Sequence, residues 1–477
     1  MKKYSTLTDN VKKKLPNFLI VMADQYSAYA TGVSGYHPVK TPCLDKIAAE
    51  GMVFTNAYAA YPMCTPARAS FMTGLYTPQH RVWELGDPLS SSIPTWTHAL
   101  KHAGYRTVIS GRMHFVGDDQ LHGFENHIYP ESNPVRSYGF WDNEKRSKVM
   151  LEAIGNASPV DDETAYQRHD RNVCEAAIRK LDFFARDKKT PFALMVGFIL
   201  PHFPFKITHY YYNLYRNTDI PLPEIPPDSG ACEDFIPEIF RSIRQFLGLS
   251  SDGVSDHQVI EARRCYYAMV SFIDEQIGKL LAELERLGLD EDTYFIFLSD
   301  HGESLGEHGL WSKLTFFEHS IRIPLIVRTP DRKSAGKFCN APVSQIDFMP
   351  TFLDLTGQLP WLEPLPGKSL LPLFENPQEM LSERIILADY ASVGITEPIR
   401  MVRYGDWKAC FGDTLPPALF NLKDDPGEWK NLASKENFRR ILKKLHEFAC
   451  ADGWNPSVLK SEILKHQRRL RYISECT

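Results

Sequence analysis

The chain has 477 residues, of which 43% are hydrophobic and 24% are charged, and its formal net charge is -5. Such a length accommodates a large core and a second, smaller unit, and the composition is that of a globular protein. The slightly acidic balance excludes a basic surface for nucleic acid, and no stretch reaches the roughly 20 apolar residues of a membrane span. We therefore expect neither nucleic acid nor a membrane as a partner, and a homo-oligomer remains an option.

The first predicted strand is the apolar run "NFLIVMAD" at residues 17–24. Its apolar part is short, follows a proline and has no small-residue cleavage site after it. We interpret it as a buried strand and not as a signal peptide. We accordingly expect a cytoplasmic location, in which the nine cysteines stay reduced thiols.

Helices and strands then alternate along the chain. Residues 41–51 predict a helix ended by Gly51, and residues 64–75 predict a helix with Pro66 in its first turn. Three further pairs of a helix and a strand follow, at 93–104 and 105–111, at 171–187 and 191–199, and at 266–288 and 292–302. This order predicts an α/β fold with a large, mostly parallel mixed sheet sandwiched by helices.

The pattern changes near residue 376. Short strand-like pieces and one helix are predicted beyond it, at 384–390, 399–411, 418–422 and, for the helix, 434–448. We therefore predict two domains, a larger one over residues 1–375 and a smaller α+β domain with an antiparallel sheet over residues 376–477.

Polar side chains follow three of the predicted strands. The pairs at these strand ends are Asp24 and Gln25, Arg112 and His114, and Asp300 and His301. A single polar residue after a strand is usually a turn or a helix cap. Three such ends together favour a site, because ligands of open α/β sheets bind at the carboxyl ends of the strands.

The residues at two of these ends predict a metal site. Asp24, Gln25, Asp300 and His301 offer two carboxylates, an amide oxygen and an imidazole. This mainly oxygen set suits a hard divalent cation such as calcium or magnesium. Positive or proton-donating side chains that fit a tetrahedral oxyanion accompany it, namely Arg68, Arg112, His114, His202 and Lys313.

Residues 64–68, "CTPAR", contain a Cys-x-Pro-[Ser/Ala]-Arg signature, with Cys64, Pro66 and Arg68 at its defining positions. Together with three other stretches in the same order, the signature makes the chain resemble the type I sulfatases of the alkaline phosphatase superfamily. The matching stretches are 16–25, 41–76, 297–328 and 419–433. The resemblance implies an alkaline-phosphatase-like fold and a sulfuric ester hydrolase whose catalytic domain is the larger one.

In that family the signature cysteine is oxidised to formylglycine by a separate maturation enzyme, so the resemblance implies this modification for Cys64. The hydrated aldehyde offers one hydroxyl to attack sulfur and a second whose deprotonation expels sulfate. By position, Asp24, Gln25, Asp300 and His301 match the family's metal ligands, and modified Cys64 completes the set. We expect calcium, with magnesium or manganese as alternatives.

The resemblance also assigns roles around the nucleophile. Arg68 matches the arginine that holds the formylglycine hydroxyl and the metal carboxylates, and His114 matches the histidine that accepts the second hydroxyl's proton. Arg112 stands where the family more often has a lysine that contacts substrate. His202 and Lys313 match the pair that contacts sulfate and protonates the leaving oxygen.

Residues 111–130 resemble choline sulfatases most. Two further features of that branch are not matched, an Asp-Asn pair, where this chain has "VWELGDP" at 82–88, and a C-terminal extension. We expect a small sulfate ester and a formylglycine-generating enzyme as partners. Because of the two unmatched features, the identity of the sulfate ester is left undecided. The alternatives are a phosphonate monoesterase or phosphodiesterase of the same superfamily and, less favoured, a non-catalytic anion-binding member.

Overall fold

The computed structural model describes residues 14–35, 38–131, 148–224, 236–249, 254–361, 364–377 and 384–476. Its strands are β1 (Asn17–Ala23), β2 (Met52–Phe54), β3 (Ala57–Tyr58), β4 (Arg106–Gly111), β5 (Asn126–Tyr129), β6 (Ser158–Val160), β7 (Phe192–Gly197), β8 (Lys206–Thr208), β9 (Thr293–Ser299), β10 (Ser304–Leu305), β11 (Trp311–Ser312), β12 (Arg322–Ile323), β13 (Leu325–Arg328), β14 (Lys337–Cys339), β15 (Val343–Ser344), β16 (Ile385–Tyr390), β17 (Ile399–Tyr404), β18 (Trp407–Phe411) and β19 (Ala418–Asn421).

The helices are α1 (Pro42–Glu50), α2 (Cys64–Thr73), α3 (Thr77–His80), α4 (Trp96–His102), α5 (Val149–Gly155), α6 (Ala165–Ala185), α7 (His209–Asn213), α8 (Glu238–Phe246), α9 (Asp256–Arg286), α10 (Glu318–Ile321), α11 (Phe348–Thr356), α12 (Leu371–Glu375), α13 (Arg439–Cys450) and α14 (Pro456–Cys476). Two groups pack around the central sheet, α9 with α1, α5 and α6, and α11 with α2 and α4. None of the described helices is long and apolar enough to cross a membrane.

An eight-stranded sheet forms the core, in the order β14-β2-β13-β9-β1-β7-β4-β5. Strand β13 runs antiparallel to both of its neighbours, and the other neighbouring pairs are parallel. Residues Phe18–Ala23 of β1 are completely buried. A strand covered on both faces has no solvent side, which explains its uninterrupted apolar sequence. The predicted α/β fold with a mostly parallel mixed sheet is thereby confirmed.

The order of the central strands places the predicted strand ends side by side. Strands β9, β1, β7 and β4 are consecutive in the sheet and parallel. Their carboxyl ends therefore meet at one edge, where β9 leads into Asp300, β1 into Asp24 and β4 into Arg112. The fourth end, that of β7, leads into the loop that carries His202.

Two glycines allow β4 and β7 to run unusually close together at this edge. Gly111 has a φ of 89°, and a Cβ atom there would lie 2.1 Å from the Gly197 carbonyl oxygen. A Cβ atom at Gly197 would lie 1.9 Å from the Arg112 carbonyl oxygen. Only glycine fits both positions. The same Arg112 carbonyl accepts a hydrogen bond of 2.9 Å from Arg68 Nη1, so the close approach helps to position the signature arginine.

The C-terminal strands form a separate antiparallel sheet in the order β16-β17-β18-β19, and α13 packs on β17 and β18. Lys408 of β18 is fully buried and joins this sheet to the rest of the chain. Its Nζ donates to Phe316 O at 2.7 Å and to Glu318 Oε1 at 2.9 Å. The division of the chain at residue 375 stays a prediction.

Three details of the C-terminal region differ from the sequence expectation. The single piece predicted at 399–411 is two strands, β17 and β18, because Gly405 takes the left-handed conformation, with a φ of 57°, in a tight turn. The helix predicted at 434–448 begins later, at Arg439, and ends at Cys450. The last helix, α14, was not predicted, because only a narrow apolar stripe that includes Leu459 and Ile463 is buried on an otherwise polar sequence.

Candidate active site

Helix α2 carries the signature and points its first residue at the edge where the strands end. All ten of its residues are buried, and Gly74 ends the helix in the left-handed conformation, with a φ of 69°. Pro66 lies in the first turn, where a backbone N–H would have no partner within the helix. The absence of an N–H on proline therefore costs no helical hydrogen bond there. Cys64 therefore lies at the positive end of the helix dipole, which favours negative charge near its side chain. The thiol is only 1% exposed.

The Cys64 sulfur is surrounded by three predicted site residues. Lys313 Nζ donates to it at 2.9 Å, His301 Nε2 lies 3.1 Å away, and Asp24 Oδ1 lies 3.6 Å away. Residues that follow β1, β9 and β11 thus converge on one atom at the start of α2.

Four side chains form a cluster that could hold a metal ion. One ligand atom from each of Asp24, Cys64, Asp300 and His301 lies within 4.8 Å of the others, and all four residues are buried. His301 Nδ1 donates to Gly302 O at 2.9 Å, which leaves the lone pair on Nε2, the nitrogen that faces the cluster. Two buried carboxylates beside an imidazole so oriented fit a divalent cation.

Arg68 holds the two carboxylates of this cluster. Its Nη2 donates to Asp24 Oδ2 and its Nε to Asp300 Oδ2, both at 2.9 Å. Arg112 Nε lies 2.7 Å from Asp24 Oδ2 and adds a second positive charge. Burial alone would raise the pKa of Asp24, but Arg112 and Arg68 outweigh it and hold this pKa well below its ordinary value. The carboxylate is therefore charged at any physiological pH.

Lys313 is placed by Gln25 as well as by the thiol. Its Nζ donates to Gln25 Oε1 at 2.8 Å, and the Gln25 amide nitrogen donates to Glu303 and, at 3.3 Å, to Ser312 Oγ. The pKa of Lys313 is raised, because Cys64, Asp24 and Asp300 outweigh the effect of burial. Lys313 is therefore a fixed cation. Ligation of a metal by Gln25 stays a prediction, since the amide oxygen retains one lone pair beside Lys313.

His114 faces the thiol from the end of β4. Its ring Nε2 lies 2.9 Å from Glu131 Oε1, and its backbone N–H donates to Glu131 Oε2 at 3.0 Å. Burial and Arg112 disfavour a charged ring, but Glu131 and Cys64 outweigh them and raise the pKa of His114. Burial would also raise the pKa of Glu131, yet His114 and Arg112 lower it to about 2.

His202 lies beside the cluster in the loop after β7. Its Nδ1 donates to Phe203 O at 2.6 Å, so Nε2 is the nitrogen that can meet a ligand. Burial and then the charge of Lys313 hold the pKa of His202 well below its ordinary value. His202 is joined to the cluster through these charges and not by a hydrogen bond within the described part of the chain.

Four of the nine non-glycine residues with positive φ in the described part of the chain lie at this site. Gln25, His114, Ser312 and Leu314 have φ values of 62°, 55°, 67° and 85°. Each such conformation costs on the order of 1 kcal/mol or more and persists only where surrounding contacts impose it. These residues are, or flank, the side chains that face Cys64, so the folded protein maintains backbone strain in order to aim them.

All ten predicted site residues therefore lie in one region, but two functional candidates escaped sequence analysis. Glu131 contacts His114, and Glu303 contacts Gln25 and accepts from the backbone N–H of Ser312 at 2.6 Å. Burial raises the pKa of Glu303 to about 8. Glu303 lies only two residues after His301, a signal that was available in the sequence. No comparable pattern marks Glu131.

The chain is similar in sequence to known proteins. A model of the sulfatase family matches residues 16–358, and a model of the N-sulphoglucosamine sulphohydrolase C-terminal region matches residues 306–450. The choline-sulfatase of Rhizobium meliloti (strain 1021) is 33% identical over 447 residues, which cover 88% of this chain and 82% of that protein. Arylsulfatase K of Bos taurus is 28% identical, with 88% and 78% covered.

Among solved structures, the phosphonate monoester hydrolase of Agrobacterium radiobacter is similar, with a TM-score of 0.76. The two chains are 23% identical, and the match covers 91% of this chain and 95% of that one. At this identity the likeness establishes the fold alone. The family model covers most of the chain and includes every predicted site residue. The chain therefore belongs to the sulfatase family of sulfuric ester hydrolases.

Proposed function

We propose that the protein hydrolyses the sulfate ester of a small alcohol to the alcohol and inorganic sulfate, with formylglycine derived from Cys64 as nucleophile. The observation that carries this proposal is the convergence of Lys313, His301 and Asp24 on the Cys64 sulfur at the start of a buried helix. A structural cysteine needs no such surroundings, because buried cysteines ordinarily pack as small apolar side chains.

Charge supports an anionic substrate. Lys313, Arg112 and Arg68 are buried cations beside the thiol, and the nearest carboxylates are already paired with the two arginines. A sulfate ester is a tetrahedral monoanion at any physiological pH, so it suits a site with donors in place before binding. Lys313 faces the thiol directly and is our candidate for the group that first meets the sulfate.

A divalent cation is part of the proposal. Asp24, Asp300, His301 and the modified residue 64 would hold it, with Gln25 as a further candidate ligand. Bound there, the ion supplies Lewis acidity, which lowers the pKa of a ligating hydroxyl and offsets the charge of the sulfate. Calcium is our first choice because of the oxygen-rich ligand set, and magnesium and manganese are the alternatives.

The roles of the two histidines follow from their positions. A hydrated formylglycine offers two hydroxyls, one to attack sulfur and one whose deprotonation releases sulfate. His202 donates a proton to the departing alcohol from Nε2, the ring nitrogen that does not contact Phe203 O. His114 accepts the proton of the second hydroxyl, and Glu131 stabilises the charge that its ring then carries.

The substrate class is proposed from the relatives. The choline-sulfatase of Rhizobium meliloti makes choline O-sulfate the first alkyl ester to test, and arylsulfatase K makes an aryl sulfate the second. Maturation by a formylglycine-generating enzyme and a cytoplasmic location complete the proposal.

Kinetics on matched esters test the proposed function. Protein produced together with a formylglycine-generating enzyme should be assayed on choline O-sulfate, an aryl sulfate, a phosphate diester and a phosphonate monoester of the same phenol. We expect kcat/KM to be highest for a sulfate ester. Preference for the phosphonate or the diester would replace this function by that of a phosphonate monoesterase or phosphodiesterase, and no turnover of any ester would leave a non-catalytic anion-binding protein.

The first prediction concerns the leaving group. His202→Ala is expected to reduce kcat/KM at least about tenfold more for choline O-sulfate than for an activated aryl sulfate, because a phenolate needs little protonation on departure. The measurement is the ratio of the two kcat/KM values in the variant and in the unmutated protein. An equal loss for both esters would show that His202 only binds sulfate.

The second prediction concerns release of sulfate. His114→Ala is expected to release roughly one equivalent of alcohol in a burst and then to stall with sulfate attached to residue 64, because a covalent intermediate accumulates when its breakdown is blocked. Burst amplitude and the mass of the stalled protein measure this. A His114→Ala protein without a burst and without attached sulfate would contradict the assignment.

A further inference from the structure

Glu131 reaches the active site from the end of strand β5, which no sequence motif connects with the site. Strand β5 lies at the end of the central sheet and runs parallel to β4, so its carboxyl end points to the same edge. Glu131 follows β5 by two residues, and Arg112 and His114 follow β4 by one and three residues. Its side chain is 12% exposed and is thus largely removed from water.

The two oxygens of Glu131 contact one residue in two ways. Oε2 accepts the backbone N–H of His114 at 3.0 Å, and Oε1 lies 2.9 Å from Nε2 of the same histidine. Oε1 also lies 3.5 Å from Arg112 Nε. The backbone contact is a hydrogen bond, whereas the ring contact is a close charge contact without hydrogen-bond geometry, so Glu131 fixes the backbone of His114 and places negative charge beside Nε2.

We propose that Glu131 is the positioning residue of His114, which fixes the orientation and tautomer of the imidazole for sulfate release. This inference rests on the proposed function. A carboxylate oxygen 2.9 Å from Nε2 favours the ring proton on that nitrogen and leaves the lone pair on Nδ1. The arrangement is the one by which the buried aspartate of a serine protease triad selects the tautomer of its histidine.

The proton balance of the release step requires that tautomer. In the sulfated intermediate, residue 64 carries one free hydroxyl and one oxygen bonded to sulfur. The hydroxyl proton passes to His114 Nδ1, the oxygen lone pair forms the aldehyde, and the other carbon–oxygen bond breaks with its electron pair on sulfate. The imidazole then carries a positive charge next to the Glu131 carboxylate. A ring with its proton already on Nδ1 could not begin this step.

The backbone of His114 provides a second, independent reason for the role. His114 has a φ of 55°, which is unfavourable for a residue with a Cβ atom. The hydrogen bond from its N–H to Glu131 Oε2 opposes relaxation of this conformation. Glu131 therefore holds the residue in place as well as the ring.

Glu131→Gln is the decisive variant because glutamine preserves shape and replaces one oxygen by an NH₂ group. If its oxygen keeps the His114 N–H, its NH₂ faces Nε2, and the ring proton must move to Nδ1. We expect kcat to fall at least about a hundredfold, which is the low end of what general acid–base catalysis contributes, with KM changed less than about threefold. As in His114→Ala, alcohol should appear in a burst and sulfate should remain on residue 64.

Two comparisons separate positioning from loss of stability. Glu131→Gln should add nothing to the defect of His114→Ala, because residues that act as one unit are not additive. The matched control is Glu397→Gln, which alters a buried carboxylate that accepts the backbone N–H groups of Asp413 and Thr414 in the C-terminal region. The control is expected to lower the melting temperature and to leave kcat within about twofold of that of the unmutated protein.

An independent readout uses the unmodified Cys64 protein and no turnover. Imidazole ¹⁵N–¹H spectra, assigned with His114→Ala, should show the His114 proton on Nε2 in the unmutated chain and on Nδ1 in Glu131→Gln. If the unmutated chain and Glu131→Gln show the same tautomer and the variant keeps a normal kcat, the inference is overturned. A preference of the mature protein for sulfate esters would then still leave the proposed function intact. Absence of any ester turnover in the mature protein overturns the proposed function instead, whatever the spectra show.

Discussion

Cys64→Ala is expected to lower kcat for sulfate esters by at least about a thousandfold, since removal of the proposed nucleophile would eliminate the covalent route and leave only binding and electrostatic terms. The substitution should be mild for the fold. Cys64 is the first residue of α2, and alanine is both smaller and a better helix former than cysteine. A large loss of rate without a large loss of stability is therefore the expected combination.

The matched control for this variant is Cys174→Ala. Cys174 is also buried and lies in a helix, α6, where its thiol donates to Gln276 O at 3.5 Å. Removal of this thiol should leave kcat within about twofold. The unmutated protein and Cys174→Ala should each differ in turnover between production with and production without a formylglycine-generating enzyme. Cys64→Ala should be inactive in both cases. Peptide masses across residue 64 report the modification directly, and an active alanine variant would refute the covalent mechanism.

The central part of the fold could be predicted because its sequence obeys local rules. Strand β1 is a continuous apolar run because neighbouring elements cover both of its faces, and α1 ends at Gly51, as expected, while α2 ends at Gly74, within the stretch predicted as helix. The position of the site followed from topology. Polar residues after parallel neighbouring strands meet at one edge of the sheet. The sequence alone therefore predicted that Asp24 and Asp300 lie close together.

Other features could not be predicted because they depend on how loops return to the site. Glu131 is 17 positions from His114, a separation that belongs to no regular helix or strand period, whereas Glu303, two residues after His301, could have been found. The left-handed conformation of His114 is equally hidden, since its sequence neighbours do not demand it. Such strain is imposed by tertiary contacts and therefore cannot be predicted from the sequence pattern. It is found preferentially at functional sites.

The cluster of Asp24, Asp300 and Arg68 leads to the last prediction, which concerns the divalent ion. Two fully buried carboxylates share one guanidinium, and His301 offers its Nε2 lone pair beside them. A cation bound only by the folded protein stabilises it by RT ln(1 + [ion]/Kd), about 2.7 kcal/mol at a hundredfold excess over Kd. Chelation should therefore lower the melting temperature as well as kcat, and added calcium should restore both.

Asp300→Asn should remove this response. Asp300 Oδ1 accepts the backbone N–H groups of Gln25 and His301, both at 2.9 Å, and Oδ2 accepts from Arg68, so an NH₂ group at either position opposes an existing donor. We expect kcat to fall at least about a hundredfold, as when an electrostatic element of an active site is lost, and the melting temperature to become insensitive to chelator and calcium.

The matched control for the metal prediction is Asp274→Asn. Asp274 is likewise buried and accepts two backbone N–H groups, those of Cys43 at 3.0 Å and Leu44 at 2.8 Å. Its replacement should lower stability but leave the shift on chelation intact, because this carboxylate belongs to the contact between α1 and α9. If the unmutated protein, thoroughly depleted of metal, kept its full kcat and melting temperature, the cluster would be a structural ion-pair network and not a metal centre.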